Sequence, residues 1–325
     1  MLDAFSQNLL SPSVLFFALG AFAGYLKSDL SVPESMGRYL SVYLMMSIGF
    51  TGGVSVISIE HFSSEIVLTI FSGISLSFII PFLAYFLIIL TTKIDKPTAA
   101  ALSAHYGSVS IVTFAASVNF LLLHQESYSG YMPSILALME APAILSGLYI
   151  AHRFAPETNI HTKEENKLAS EIFANGAVLL ILGSFFVGCI SGQNGLAKIA
   201  PFLVSPFQGI VCMFMLDLGL IVTKNIQNLR KIKAPLIFFG LYMPLVNAGI
   251  ALLIAYAIGL KSPDGLLFMT LVASSSYIAV PAAMKLALPE AKASVYLPIS
   301  IGVTFPFNII LGIPLYYSMS KYFLG

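Results

Sequence analysis

The sequence predicts an all-α polytopic membrane protein, and three observations carry that expectation. Of the 325 residues, 58% are apolar and only 10% charged, where a soluble chain carries roughly a quarter charged residues. The apolar residues gather in continuous runs close to the ~20 residues that a helix needs to cross a bilayer. The basic residues crowd into alternate intervening loops, as they do at the cytoplasmic ends of spans. A β-barrel would show roughly ten-residue segments alternating apolar and polar, whereas Val67 to Leu90 is an unbroken apolar run.

Taken in order, the runs give ten expected spans, near 9–26, 39–57, 65–90, 98–123, 131–152, 171–191, 202–223, 234–260, 264–288 and 294–320. Loops after odd-numbered spans hold 13 of the 16 Lys and Arg, leaving Lys198, Lys261 and Lys321 for the other side. This bias places the 153–170 linker in the cytoplasm and both termini on the periplasmic side of a bacterial inner membrane. The N-terminus lacks the basic start and small-residue cleavage site of a signal peptide, so the first span is expected to be retained. A net charge of +1 offers no basic face for nucleic acid. Cys189 and Cys212 lie in apolar runs and imply neither a disulfide framework nor a metal site.

The polar linker divides the chain into 9–152 and 171–320, with five expected spans in each. An odd number per half reverses the second, which makes a 5+5 inverted repeat. Faint internal matches agree in order. Pro97 to Ser117 lies over Pro263 to Ala283, Met45 to Gly49 over Met215 to Gly219, and Pro142 over Pro306. Thr98 and Asp264, each just after a proline, are expected N-caps of spans four and nine. From Thr98 to Ser108 is about 15 Å of helix at 1.5 Å per residue, half a bilayer. Gly107-Ser-Val-Ser110 and Ala273-Ser-Ser-Ser276 therefore fall near the midplane, where broken helices four and nine mark a transport site. Close packing of small residues is the competing explanation of each patch.

Away from span ends only two acidic residues, Glu140 and Asp217, fall inside expected spans, where an ionisable group costs several kcal/mol unless paired or hydrated. In Met139-Glu-Ala-Pro-Ala143, Pro142 frees the Leu138 carbonyl from its helical bond. A carboxylate beside freed carbonyls suits a hard cation such as sodium; a protonated Glu140 bonded to a neighbouring helix is the alternative. Asp217 is a possible coupling residue. The serine patches offer hydroxyls and helix-end amides to a small anion, with Lys285 too far along its helix to be a ligand. An enzyme is not expected. His105 and Ser108 share one helix, where nucleophile and base normally come from different elements. His61, His124, His152 and His161 show no metal-ligand spacing, and no phosphate or dinucleotide loop appears.

Ile48-Gly-Phe-Thr-Gly-Gly53, Gly107-Ser-Val-Ser110, Met139-Glu-Ala-Pro-Ala143, Ser274 to Ala283 and Thr304-Phe-Pro-Phe307 together resemble the sodium-dependent bicarbonate transporter family known from cyanobacteria. The resemblance runs from Leu10 to about Tyr317. It implies ten helices, a mobile core domain moving elevator-like against a gate domain, a homotrimer, and import of bicarbonate with sodium as co-substrate and no organic cofactor. It further implies substrate-binding roles for Gly107, Ser108, Val109, Ser274, Ser275 and Ser276, and sodium-binding roles for Ser108, Ser110, Glu140 and Ser276. Glu140 stands where the cyanobacterial form has an aspartate, and Tyr277 replaces an aspartate after the serine triplet. The linker is also shorter, and a cytoplasmic PII-like regulator is a possible partner. Beside this reading stand a sodium symporter for another small organic anion, a passive anion channel, and a membrane sensor that binds its ligand without moving it.

Overall fold

The computed structural model describes residues 9–58, 63–154, 176–229, 232–277, 280–281, 284 and 288–325. They form helices α1 (Pro12–Tyr25), α2 (Glu34–Ile57), α3 (Ser64–Thr91), α4 (Lys96–Gly107), α5 (Ile111–Leu123) and α6 (Met132–Phe154). After residues 155–175, which include most of the expected linker, come α7 (Gly176–Leu203), α8 (Phe207–Leu229), α9 (Ala234–Ile258) and α10 (Ser262–Ala273). The final helix, α11 (Ala293–Leu324), carries two π turns, Ser300–Thr304 and Asn308–Gly312.

The chain is all-helical and polytopic, but ten membrane-crossing helices are not found. Among the described residues six are long and apolar enough to cross: α2, α3, α4 with α5, α6, α9 and α11. A seventh is counted if α7 and α8, bent by 46° at the break between Leu203 and Phe207, form one span. The shortfall has physical causes. Helix α1 has 14 residues and α10 has 12, or about 21 and 18 Å, both short of a ~30 Å hydrocarbon layer. Helix α10 ends at Ala273, where Ser274 turns extended, and part of what remains of the expected ninth span lies outside the described residues. No separation into core and gate domains is discernible either, since one buried apolar cluster runs from Val14 to Tyr316.

Glycine contacts hold the helices together. With lipid outside, helix association relies on close packing rather than the hydrophobic effect, and glycine lets backbones touch. A Cβ on Gly53 would run into the Phe185 carbonyl, and one on Gly188 into the Phe50 carbonyl, so α2 and α7 meet backbone to backbone. Gly20 against Leu216 and Gly219 against Phe17 join α1 to α8 in the same way. Within α7, Gly192 takes φ 58°, ψ −160°, a conformation that glycine alone adopts freely, and kinks the helix.

Polar contacts tie the helix ends. The N-cap of α4 is Asp95, whose carboxylate accepts the Thr98 amide (3.0 Å). Thr98 is therefore not the cap; its hydroxyl accepts the Lys292 amide (3.0 Å), while Lys292 Nζ reaches Asp95 (2.9 Å). Burial pushes the Asp95 carboxyl up, but hydrogen bonds from Thr98 and Lys292 outweigh it and hold its pKa below the ordinary value. Likewise Lys261 is the N-cap residue of α10 and Asp264 lies in its first turn. There Asp264 accepts the amide (2.7 Å) and hydroxyl (2.6 Å) of Ser129, fastening the loop between α5 and α6.

Gly188→Leu is expected to drive α7 off α2 at an overpacking cost of about 1–3 kcal/mol. Thermal unfolding in detergent should show a lowered midpoint, and an unchanged midpoint would mean the two backbones do not meet.

Candidate functional site

Helices α4 and α10 both end in mid-protein, and their trailing segments cross. Ser108 leaves the α4 helix in extended conformation (φ −86°, ψ 171°), and Ser274 leaves α10 in nearly the same one (φ −76°, ψ 170°). The crossing is stitched in both directions: the Ser276 amide donates to the His105 carbonyl (2.9 Å), and the Ser110 amide donates to Ser274 Oγ (2.9 Å). The imidazole of His105 also meets the Ser276 carbonyl through Nδ1. Because that carbonyl can only accept, Nδ1 carries the hydrogen in this contact.

A helix that ends away from water leaves carbonyls to be satisfied, and neighbouring helices supply the donors. Asn247 of α9 donates Nδ2 to Tyr106 O (3.3 Å) and Val272 O (3.0 Å), so one amide serves both broken helices. Asn308 of α11 donates to Ala273 O (3.0 Å) and is itself held by Tyr316 OH (2.8 Å). Beneath Gly107 lies Pro81 of α3; a Cβ on this glycine would run into the proline ring and into the Ser77 carbonyl, 2.6 Å away. Ser77 in turn donates to the Met139 carbonyl of α6, one residue before Glu140.

The structure sorts the expected site residues into two groups. Several are engaged in holding the crossing. Ser110 Oγ caps α5 by accepting the Thr113 amide (3.2 Å) and hydroxyl (2.9 Å). Ser274 Oγ donates back to Leu271 O (2.9 Å), Ser275 Oγ donates to Ser300 Oγ (3.0 Å), and Val109 is packed at 2% exposure. The others face one another: the Glu140 carboxyl lies beside the hydroxyls of Ser108 and Ser276. Both hydroxyls are buried and no hydrogen bond of good geometry satisfies either one. Asp217 is elsewhere, its carboxylate over Gly37 of α2, 2.7 Å from where a Cβ would sit.

Three further buried atoms around the crossing have no hydrogen-bond partner: His105 Nε2, Asn247 Oδ1 and Tyr277 OH. Orphaned buried polar groups are rare and call for a ligand, ion or water. Sequence reasoning had passed over His105 as a failed catalytic base and had no reason to select Asn247 or Asn308. Their one legible signal is an amide side chain inside an otherwise apolar run. Among the described residues no three His, Cys, Asp or Glu are grouped to hold a metal ion, so a cation here would rest on one carboxylate, hydroxyls and freed carbonyls. Such an oxygen set suits sodium.

The family model of the Na+-dependent bicarbonate transporter superfamily matches residues 12–321 of the chain. No curated protein matches it.

Asn247→Leu removes the shared donor and leaves two buried carbonyls bare, at about 1–3 kcal/mol each. The expected outcome is a lowered unfolding midpoint in detergent together with lost uptake; wild-type stability would show that the crossing does not depend on Asn247.

Proposed function

This chain belongs to the Na+-dependent bicarbonate transporter superfamily and moves bicarbonate with sodium as its co-substrate; from that premise we propose that both are held where the α4 and α10 breaks cross. The observation that carries the assignment is the convergence of two buried hydroxyls, Ser108 and Ser276, on the buried Glu140 carboxyl. Sodium takes the Glu140 carboxylate with the oxygens of Ser108, Ser110 and Ser276. Bicarbonate takes the adjoining small-residue surface of Gly107, Ser108 and Val109 and of Ser274, Ser275 and Ser276.

Electrostatics supplies the coupling. An ionised Glu140 repels a monoanion about 5 Å away by about 3 kcal/mol at an effective dielectric of about 20. At 1.4 kcal/mol per decade that is a loss of more than about a hundredfold in affinity. Sodium at Glu140 cancels the repulsion, so the anion binds well only after the cation. Sodium and bicarbonate together also add no net charge to a site that water does not reach. The physiological direction is import across a bacterial inner membrane. The ends bearing Lys93, Lys96, Arg153, Lys233 and Lys292 face the cytoplasm, and both termini lie on the periplasmic side. The proposal extends to a homotrimer whose cytoplasmic face could take a PII-like regulator, both on the resemblance alone.

The deciding experiment is uptake of labelled bicarbonate into proteoliposomes at fixed pH, with and without an inward sodium gradient. Uptake should saturate and require sodium. Ser108→Leu and Ser274→Leu should abolish it while leaving insertion intact, and normal transport by both would remove the serines from the mechanism. Glu140→Gln should flatten the sodium dependence of uptake; an unchanged sodium response would separate Glu140 from the cation.

A further inference from the structure

A cavity of about 410 Å³ lies between α2, α5, the start of α6 and the bend that joins α7 to α8. It sits at the end of the molecule that also holds the Lys321–Glu126 ion pair (2.7 Å) and the Ser129–Asp264 contacts. This is the end poor in basic residues. Polar groups come from Ser47, Thr51, Tyr128, Ser205 and Gln208 among mostly apolar neighbours, and among the described residues no carboxylate lines the space. Its α5 wall descends through Leu122 and Val118 to Phe114, each a helical turn from the next. Phe114 is the deepest of these, has no exposed surface, and bonds its amide to the carbonyl of Ser110 (3.0 Å). Helical side chains lean toward the N-terminus, so the Phe114 ring leans toward Ser110 and the crossing.

We propose that this cavity is the outward vestibule through which bicarbonate reaches the crossing, and that the Phe114 ring closes its floor. The proposal rests on the site assignment above and adds the route and its barrier. The chemistry of the lining agrees. Tyr128, Ser205 and Gln208 can donate hydrogen bonds to a small hydrated anion, no acidic residue among the described lining repels it, and the volume admits the anion with several waters, each occupying about 30 Å³. The opposite wall is positioned by the bend itself. Ser47 Oγ (2.7 Å) and Tyr43 OH (3.1 Å) donate to the Leu203 carbonyl at the end of α7, which fixes the bend against α2.

The test fills the cavity, probes it and opens its floor. In proteoliposomes, Thr51→Trp and Gln208→Trp should each cut sodium-driven bicarbonate uptake at least tenfold while keeping the rise in unfolding midpoint that sodium plus bicarbonate give the detergent-solubilised protein. Wild-type uptake by both variants would overturn the proposal. In a background lacking Cys189 and Cys212, Ser205→Cys should react with a membrane-impermeant thiol reagent, and sodium plus bicarbonate should slow the reaction; a rate indifferent to both would also overturn it. Phe114→Ala should admit bicarbonate without a sodium gradient, whereas Phe114→Tyr should keep the coupling. Fully coupled uptake by Phe114→Ala would show that the ring is no barrier. Failure of the site assignment reads differently: Ser108→Leu would then keep its ligand-induced shift and its uptake, whatever the vestibule variants do.

Discussion

Every feature of the site depends on one constraint, that backbone groups released by a broken helix inside a membrane protein must find partners without water. Here two helices break, and the breaks solve the problem jointly. The amide of Ser276 takes the His105 carbonyl, the Ser274 hydroxyl takes the Ser110 amide, and Asn247 bridges one carbonyl from each helix. Because the partners are shared, neither break persists without the other. The same stitching accounts for several of the serines that stand together: Ser110 and Ser274 close the backbone.

What is left over is small and polar in a way that matches the cargo. The Ser108 and Ser276 hydroxyls lie beside the Glu140 carboxyl; in the proposed reading they are oxygen ligands for a monovalent cation, on which the neighbouring anion depends. Packing supports the arrangement from behind. Gly107, having no side chain, lets α4 rest directly on the Pro81 ring and the Ser77 carbonyl of α3, and Ser77 carries the contact on to α6 next to Glu140. Glycine contacts between α2 and α7 and between α1 and α8 join the first half of the sequence to the start of the second in one apolar body.

Much of this was legible in the residues. The composition required a bilayer, the runs located most of the helices, and the two small-residue stretches singled out in the sequence, together with Glu140, lie where α4 and α10 end. The ten-span count failed for a definite reason. Apolarity reports that a segment avoids water, but not whether it crosses as one straight helix, ends halfway, or bends. Helices α1 and α10 are apolar and too short, and α7 and α8 share a bend. The expected caps failed similarly: Asp95, not Thr98, caps α4, because Thr98 is occupied by the Lys292 amide nearly two hundred positions on.

The sequence by itself determined the solvent, the helical class and the chemical type of the site, since hydrophobicity and the cost of a buried carboxylate are properties of residues wherever they sit. Tertiary structure alone decided which serines are free and which are structural, that Asp217 lies over Gly37, and that His105, Asn247 and Tyr277 surround the crossing. Several of these outcomes turn on contacts between residues more than a hundred positions apart, Asp217 over Gly37, Ser276 on His105 and Asn247 on Tyr106. A hydroxyl's availability depends on which groups the fold has brought to it, and the sequence pattern does not encode that.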